Sequence, residues 1–346
     1  MRTDELDFDL PPELIAQEPP PERTASRLMH YRRADRSVAH RMFSDLPRFL
    51  RPGDLLVFNN VRVLPARFIL RKLSGGRVEG LFLEELRPQR WRVLLRNLGT
   101  YKGRELLFEM EPALMCMVRS IREGGECEID IFSSDPATVI LSRLGRVPLP
   151  PYIRRDKVRD ARDDLDRERY QTVFASAGTA VAAPTAALHF SEALLAELRE
   201  HGVESAFVTL NVGLGTFKPV TVERLDDHPM HSEGYTITPE AAGALNRAKQ
   251  EGRRIVAVGT TSARVLESQP AGEPFAPHTA ETEIFIRPGY KWKHVGALIT
   301  NFHLPRSTLI ALVAAMVGLE EQRRLYAVAI EQRYRFFSYG DAMLIE

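Results

Sequence analysis

Two histidines and a carboxylate stand close together in the part of the chain between residues 208 and 235. His228 and His231 are three residues apart, Glu233 follows, and the 346-residue chain has only 9 histidines. An imidazole beside a carboxylate is a combination that general acid–base catalysis uses. We predict that His231 and Glu233 take part in catalysis, with structural packing as the alternative. A metal site is not predicted, because Pro229 prevents helical spacing of the two histidines and no further His or Cys is near.

The strand that leads toward these residues ends in a glycine turn. From residue 208 to 212 apolar side chains alternate with polar ones, which predicts a β-strand, and Gly213 follows directly. The turn does not predict a dinucleotide-binding loop, because Pro219 prevents a helix from starting behind it. We expect the loop instead to contact a ligand through Gly215, Thr216, Phe217 and Lys218.

Polar side chains follow three other predicted strands, at residues 53–58, 254–258 and 297–300. In open α/β sheets ligands bind at the carboxyl ends of the strands, so we expect these side chains to share one cleft with the histidine loop. They are Asn59, Asn60 and Arg62 after the first strand, Thr260, Thr261 and Ser262 after the second, and Asn301 and His303 after the third.

Residues 260–262 also open a helix that the sequence predicts over residues 263–268. The first N–H groups of a helix lack backbone partners and lie at the positive end of its dipole. This arrangement favours an anion site for a carboxylate or a phosphate. A threonine-rich helix start without a ligand is the alternative.

Two further groups are candidates on residue type alone. His189 lies in the run of small residues 181–190 and is either a catalyst or a packed core histidine. Tyr339 and Asp341 lie in an aromatic segment near the C-terminus, where the rings either stack on a nucleic-acid base or fill the core.

The spacing of elements predicts a layered α/β/α domain with a small antiparallel β-barrel inserted into it. Residues 65–149 consist of short strands and Gly turns without helical periodicity, whereas the flanking parts alternate strands with helices capped by Ser191, Thr238 and Ser307. We assign residues 1–62 and 150–346 to the α/β domain and 63–149 to the barrel. The charge-dense residues 154–169 are expected to form a solvated, mobile connection.

The composition is that of a soluble globular chain, with 44% hydrophobic and 27% charged residues. Only two cysteines occur, and no apolar stretch is long enough for a signal peptide or a membrane span, so we expect a cytoplasmic protein that does not contact membranes. Residues 20–77 contain 13 Lys and Arg against 4 Asp and Glu, although the whole chain has a net charge of +1. A basic segment leading into a small barrel is compatible with RNA binding.

Seven runs together resemble the S-adenosylmethionine:tRNA ribosyltransferase-isomerase family of queuosine biosynthesis. They span nearly the whole chain and are weakest across the barrel. Two positions depart from the family pattern, Ala187 in place of Gly and Asn211 in place of His. The runs are Phe58-Asn59-Asn60-x-Arg62-Val63-x-Pro65-Ala66-Arg67, Val181-Ala182-Ala183-Pro184-Thr185-Ala186-x-Leu188-His189-Phe190, Val212-Gly213-x-Gly215-Thr216-Phe217, Met230-His231-Ser232-Glu233, Val258-Gly259-Thr260-Thr261-Ser262, Thr300-Asn301-Phe302-His303-Leu304-Pro305 and Phe337-Ser338-Tyr339-Gly340-Asp341.

The resemblance implies a transferase reaction. The ribosyl part of S-adenosylmethionine is transferred to 7-aminomethyl-7-deazaguanine at the wobble position of a tRNA anticodon and isomerised, which gives epoxyqueuosine and releases adenine and methionine. S-adenosylmethionine is thus consumed as a substrate, and neither a cofactor nor a metal is expected. The implied partners are this tRNA anticodon stem-loop and S-adenosylmethionine, and we expect a monomer.

With this reaction in view, the candidate residues take expected roles. His231 or His189 acts as base or acid, and Glu233 orients it or balances charge. Residues 260–262 are expected to bind the methionine carboxylate, and Asn301 and His303 the adenosyl part. Gly215, Thr216 and Phe217 complete the S-adenosylmethionine site. The residues expected to contact the tRNA or its modified base are Asn59, Asn60, Arg62, Arg67, Lys218, Tyr339 and Asp341.

Two alternatives belong to other classes of protein. A non-catalytic RNA-binding protein would use the barrel and the basic segment, but it would not need His, Glu and Thr side chains at several strand ends. A small-molecule hydrolase would need a GxSxG elbow or a paired-carboxylate motif, and the sequence has neither.

Overall fold

The computed structural model describes residues 1–100, 104–156, 160–213 and 220–346. These residues divide into two units, which we call the sheet unit and the barrel unit. The sheet unit comprises Met1–Arg62, Pro151–Arg154 and Gln171–Glu346, and the barrel unit comprises Val63–Pro150 and Arg155–Tyr170. Residues 155–170, which the sequence places in the α/β domain, group with the barrel in this division.

The sheet unit is built on one large mixed β-sheet, and its elements are numbered here along the whole chain. Among the described residues the sheet has the order β15-β13-β12-β3-β14-β16-β17-β1-β2, while β4 and β11 form a separate pair. The strands are β1 (Arg27–Arg32), β2 (Ser37–Met42), β3 (Leu55–Asn59), β4 (Val61–Val63), β11 (Ala177–Ala180), β12 (Glu204–Leu210), β13 (Glu233–Ile237), β14 (Ile255–Val258), β15 (His278–Thr282), β16 (Ala297–Asn301) and β17 (Ala342–Ile345).

The central strands of this sheet are covered on both faces, which explains their uniformly apolar sequences. Strands β12, β3, β14 and β16 run parallel to one another. Side chains alternate between the two faces, so that Leu55 and Val57 belong to one hydrophobic core while Leu56 and Phe58 belong to the other. Two cores on opposite faces of one sheet give the layered α/β/α arrangement that the sequence predicts, and the predicted fold class is confirmed.

Helices form the outer layers, and three of them begin at the predicted caps. The side chains of Ser191, Thr238 and Ser307 each accept a hydrogen bond from a backbone N–H three residues later, which satisfies one free donor of the helix start. Helix α3 packs on one face of the sheet and the other four contribute to the opposite core. The helices are α3 (Glu192–Glu200), α4 (Pro239–Gln250), α5 (Thr260–Glu267), α6 (Thr308–Val317) and α7 (Leu319–Glu331).

The barrel unit contains a closed antiparallel barrel, as predicted. Within the described residues its strand order is β10-β7-β6-β5-β8-β9, and α1 (Ala137–Leu144) and α2 (Asp163–Arg169) accompany it. Phe68 and Trp91 fill the interior, and a Cβ atom at Gly80 would lie 2.2 Å from the Phe68 ring, so only glycine fits there. The barrel strands are β5 (Arg67–Lys72), β6 (Arg77–Arg87), β7 (Arg90–Arg96), β8 (Glu105–Phe108), β9 (Glu111–Ile121) and β10 (Glu126–Ile131).

The charge-dense segment after the barrel is not the solvated connection that its composition suggests. It contains helix α2, and the side chains of Arg155 and Asp166 form an ion pair in which they are 4% and 2% exposed. Arg146 of the barrel unit donates to Asp163 at 2.9 Å. The prediction was wrong because pairing offsets part of the cost of burying these charges, and pairing cannot be deduced from composition.

No helix in the ranges described above combines the length and the apolar character that a bilayer crossing requires.

Candidate active site

Four parallel strands bring their carboxyl ends to one edge of the sheet unit. Strand β3 lies between β12 and β14, with Val57 opposite Ala206 on one side and Ala257 on the other, and β16 pairs with β14. All four strands run in the same direction, so their last residues and the loops behind them lie at the same edge. Four of the polar residues that the sequence singles out line a cleft at this edge.

A cleft, which we call the strand-end cleft, opens at this edge. Thr260, Thr261, Asn301 and His303 line it together, as expected from their positions after β14 and β16. The other lining residues come from the loop after β11, from the segment between β16 and α6, from the C-terminal aromatic segment and from single positions elsewhere in the sheet unit. They are Tyr152, Ala182, Ala183, Pro184, Thr185, Ala186, Val212, Gly259, Thr300, Phe302, Leu304, Ser307, Leu309, Phe337 and Ser338.

The start of helix α5 faces this cleft. The helix begins at Thr260, three residues before the predicted start, and Gly259 precedes it with a φ of 87° that favours glycine. Among the described residues, the first N–H of the helix to reach a backbone carbonyl is that of Ala263, at 3.2 Å from Gly259 O. The Oγ1 atom of Thr261 is buried without a hydrogen-bond partner in the same part of the chain. The cleft therefore has unused donors at a positive helix end.

Ser262 lies outside this group of donors. Its hydroxyl donates to the carbonyl of Val258 at 3.0 Å, and the residue is fully buried. The run 260–262 thus presents two side chains to the cleft rather than three.

Asn301 is held in one orientation by the surrounding backbone. Its Nδ2 atom donates to the carbonyl of Phe337 at 3.1 Å and lies 3.2 Å from Nε2 of His189. The carbonyl of Phe337 can accept a hydrogen bond only from the amide nitrogen of Asn301. The amide oxygen of Asn301 must therefore point away from Phe337. That Oδ1 atom is buried and has no partner among the described residues. Asn301 itself lines the cleft.

His189 contacts Asn301 but does not itself line the cleft. Its Nδ1 lies 2.7 Å from Oγ of Ser26, and burial, with smaller contributions from Arg335 and Arg23, lowers the pKa of His189 to about 3. The ring is therefore neutral. Since Nε2 accepts from Asn301, Nδ1 carries the proton and donates to Ser26.

His303 is also buried and neutral, but it reaches the cleft. Its Nε2 lies 2.7 Å from Oγ1 of Thr300, and its backbone N–H donates to the hydroxyl of Tyr326 at 3.0 Å. Burial lowers the pKa of His303 to about 3. The residue can offer a hydrogen bond to a ligand but not a positive charge.

His231 and Glu233 line a second pocket, which we call the Arg264 pocket. Arg264 donates from Nη1 to Oε2 of Glu233, and Oε1 of Glu233 accepts from the backbone N–H of Gly213 at 3.0 Å. Leu309 lines both this pocket and the strand-end cleft, so the two are neighbours. The pocket is lined by His228, Met230, His231, Glu233, Arg264, Ile284, Phe285, Ile286, Thr308, Leu309 and Leu312.

Asn59 at the end of β3, and Asn60 and Arg62 behind it, do not line either space. The Asn59 amide is fully buried and bonds Leu210 through its nitrogen and its oxygen, each at 3.1 Å, so that it ties β3 to β12. Asn60 similarly bonds Ser176 and Thr209. Arg62 is exposed, with one contact to the carbonyl of Ala175 at 3.4 Å.

The remaining candidates lie elsewhere or outside the described residues. Arg67 begins β5 of the barrel unit, where burial lowers the pKa of its guanidinium. Tyr339 is 2% exposed, and the carboxylate of Asp341 accepts backbone N–H groups of Arg27 and Arg335 at 2.9 and 2.8 Å. The loop candidates Gly215, Thr216, Phe217 and Lys218 lie outside the described residues.

Within the described ranges, no group of three His, Cys, Asp or Glu side chains is arranged to hold a metal ion. His228 and His231 both line the Arg264 pocket, and burial lowers the pKa of His228.

Over residues 3–345 the sequence matches the family model described as queuosine biosynthesis protein. The chain belongs to this family. It is similar to the crystal structure of the S-adenosylmethionine tRNA ribosyltransferase from Thermotoga maritima, with 34% sequence identity, 99% of this chain and 100% of that chain covered, and a TM-score of 0.55. The mixed sheet with an inserted barrel is thus the fold of a queuosine biosynthesis protein.

Two site residues of this family member escaped the sequence-based prediction. Arg264 lies one helical turn after Thr261. The sequence pattern that could have indicated it is a charged residue between Ala263 and Val265, in a helix that is buried along its whole length. Ser26 carried no signal, because its contact with His189 joins residues 163 positions apart.

Proposed function

We propose that this protein is an S-adenosylmethionine-dependent tRNA ribosyltransferase-isomerase. It transfers the ribosyl part of S-adenosylmethionine to 7-aminomethyl-7-deazaguanine at the wobble position of a tRNA and releases adenine and methionine. The observation that carries this proposal is the family match over residues 3–345, together with the full-length likeness to a protein described as an S-adenosylmethionine tRNA ribosyltransferase. The reaction is expected in the cytoplasm, where its tRNA substrate is found.

The strand-end cleft fits the adenosyl part of the substrate. Adenine offers an exocyclic amine as donor and ring nitrogens as acceptors. Of the cleft residues, Asn301 has an acceptor, Oδ1, and Thr261 a hydroxyl that no described residue bonds. The free N–H groups at the start of α5 can donate to ribose oxygens or to a ring nitrogen of adenine. Hydrogen bonds to a ring nitrogen stabilise adenine as it departs with the electrons of its glycosidic bond.

His231 is the proposed general base. The positive sulfur of S-adenosylmethionine acidifies the neighbouring C5′ protons, and a base must take one of them to start the isomerisation. His231 is exposed, lines the Arg264 pocket and lies two residues before Glu233, which is fixed by Arg264 and Gly213. The location beside the strand-end cleft supports this role because C5′ lies between the adenosyl and methionine parts.

His189 is proposed as a positioning residue rather than as the acid or base of the reaction. Both of its ring nitrogens are engaged by Ser26 and Asn301, and its pKa is too low for it to carry a proton near neutral pH. Its neutral Nε2 fixes the amide nitrogen of Asn301, which leaves Oδ1 for adenine.

For the tRNA side, exposed Arg62 remains the proposed contact among the residues that follow β3. The internal hydrogen bonds of Asn59, Asn60 and Asp341 support structural roles for these three residues instead. Arg67 in the barrel unit and Lys218 stay predictions as tRNA contacts.

The test is incubation of the purified protein with S-adenosylmethionine and a tRNA that carries 7-aminomethyl-7-deazaguanine, with free adenine measured by chromatography. Adenine release that requires this tRNA is expected, and the same tRNA with unmodified guanine at the wobble position is the control. Absence of adenine release at saturating concentrations of both substrates would refute the proposal.

A further inference from the structure

Arg264 has two hydrogen-bond donors that no described residue uses. The residue is 8% exposed, and its Nη1 donates to Glu233. Its Nε and Nη2 atoms are buried and have no hydrogen-bond partner within the described ranges. Buried charged donors without acceptors are unfavourable, so these two donors call for an explanation, and an anionic ligand is one that would satisfy both.

The two free donors form the edge of the guanidinium that suits a carboxylate. Nε–H and Nη2–H point in parallel directions, and this fork matches the two oxygens of a carboxylate in a bidentate pair. Glu233 occupies Nη1 and holds the group in place. An anion that binds here therefore meets a positioned fork rather than a flexible side chain.

The surrounding pocket selects the kind of anion. Ile284, Phe285, Ile286, Leu309 and Leu312 make much of its lining apolar, which suits an aliphatic chain that ends in a carboxylate. A tRNA phosphate would bring a charged, hydrated backbone into this apolar pocket. A small carboxylic acid is therefore the better match.

The position of Arg264 relative to the strand-end cleft points to the same ligand. Thr261 and Arg264 are three residues apart on α5 and so lie on the same side of the helix, one facing the cleft and the other the pocket. Leu309 borders both spaces. One molecule can thus place an adenosyl group in the cleft and an amino-acid end in the pocket.

We infer that the Nε and Nη2 edge of Arg264 binds the carboxylate of the methionine part of S-adenosylmethionine. The inference rests on the proposed function and replaces residues 260–262 as the expected carboxylate site. Because both nitrogens are shielded from solvent, a side chain of the pocket wall must move when the carboxylate binds.

The test compares the binding of two ligands to the wild type and to variants of the site. Binding of S-adenosylmethionine and of its decarboxylated analogue is measured by calorimetry for the wild-type protein, Arg264→Gln and Thr261→Val. The wild type is expected to prefer S-adenosylmethionine by roughly 10- to 100-fold, since the analogue lacks a charge-assisted pair. In Arg264→Gln this preference should fall to near unity, while Thr261→Val weakens both ligands equally. Exposed Arg199→Gln on α3 is the matched control and should behave as the wild type.

Arg264→Gln removes the cation that pairs with buried Glu233, so the double variant Glu233→Gln/Arg264→Gln is measured alongside it. Loss of the preference in either folded protein supports the inference. A preference that survives in both variants, a wild type without any preference, or a preference lost in Thr261→Val would overturn it. A raised KM for tRNA with the preference intact would assign Arg264 to a phosphate instead.

These outcomes are separate from those of the proposed function. If the wild type binds S-adenosylmethionine and releases adenine while Arg264→Gln keeps the preference, only the carboxylate assignment fails. If the wild type neither binds S-adenosylmethionine nor releases adenine, the proposed function itself fails.

Discussion

The Nε2 atom of His189 lies 3.2 Å from the amide nitrogen of Asn301, and the other ring nitrogen lies 2.7 Å from Oγ of Ser26. These hydrogen bonds link Ser26, His189 and Asn301, which lie far apart in the sequence, and Asn301 lines the strand-end cleft. The contact with His189 fixes the amide nitrogen of Asn301 and so leaves the amide oxygen for a ligand. A histidine that resembles a catalyst in sequence thereby acquires a supporting role in the structure.

Ser26→Ala should therefore raise the KM for S-adenosylmethionine, although Ser26 is not expected to contact this substrate. Loss of the hydroxyl frees the His189 ring and lets the Asn301 amide lose its fixed orientation, so we expect the KM for S-adenosylmethionine to rise about 5- to 10-fold, the worth of one hydrogen bond. The KM for tRNA should stay unchanged. Steady-state kinetics with each substrate varied in turn checks this, and equal changes in both KM values would indicate a general structural defect instead.

Thr261→Val should weaken the binding of S-adenosylmethionine without destabilising the fold. The hydroxyl of Thr261 is buried without a partner in the described part of the chain, so its replacement by a methyl group should leave stability unchanged or raise it by about 1 kcal/mol. The affinity for S-adenosylmethionine should fall about 5- to 10-fold, because the hydroxyl bonds the ligand. Thermal unfolding and calorimetry measure the two effects. A destabilised variant with normal affinity would show that the hydroxyl serves the fold.

His231→Gln should lower kcat by about 10²- to 10⁴-fold if His231 is the base, while folding is unaffected because the side chain is exposed. His201→Gln, an exposed histidine at the end of α3, is the control and should retain full activity. Adenine release under saturating substrates is the measurement. Near-normal turnover in His231→Gln would remove this residue from the mechanism.

Stability should fall as the pH drops below neutrality, through His189 and His303. Burial lowers the pKa of each to about 3 from an ordinary value of 6.5, so between these values the unfolded chain binds more protons than the folded one. Each histidine stabilises the fold fully above pH 6.5, and we expect a loss of about 2 kcal/mol per residue at pH 5.

Denaturant unfolding at pH 7.5 and pH 5 checks this expectation. His189→Gln and His303→Gln should each show a smaller loss between the two pH values than the wild type, even where they are less stable at pH 7.5. The exposed His201→Gln variant should follow the wild-type curve. Identical pH dependence in all four proteins would mean that neither buried histidine is held neutral by the fold.

Features that depend on residues close together in the chain could be predicted from the sequence. The caps at Ser191, Thr238 and Ser307 were predicted because a cap satisfies donors three residues away. Thr260 and Asn301 were placed together because parallel strands end at the same edge of a sheet. The barrel was predicted because its Gly turns and strand alternation repeat at short intervals.

Contacts between distant segments could not be predicted in the same way. The side chain of Asn59 links two neighbouring strands, and strand order is a property of the whole fold. Arg264 pairs with a glutamate 31 residues away, and His189 with a serine 163 residues away. Arg155 and Asp166 neutralise each other in a segment whose composition alone indicates solvation. In each case the partner determines the role, and the partner is visible only in three dimensions.

The most direct test of the proposed function is the fate of two labels in S-adenosylmethionine. The substrate carries ¹⁴C in the ribosyl group and ³H in the methyl group, and it is incubated with the protein and a tRNA bearing 7-aminomethyl-7-deazaguanine. Ribosyl transfer predicts that ¹⁴C enters the tRNA in equal amount to the adenine released, while ³H leaves as methionine. Entry of ³H into the tRNA, or a tRNA without either label, would contradict the account.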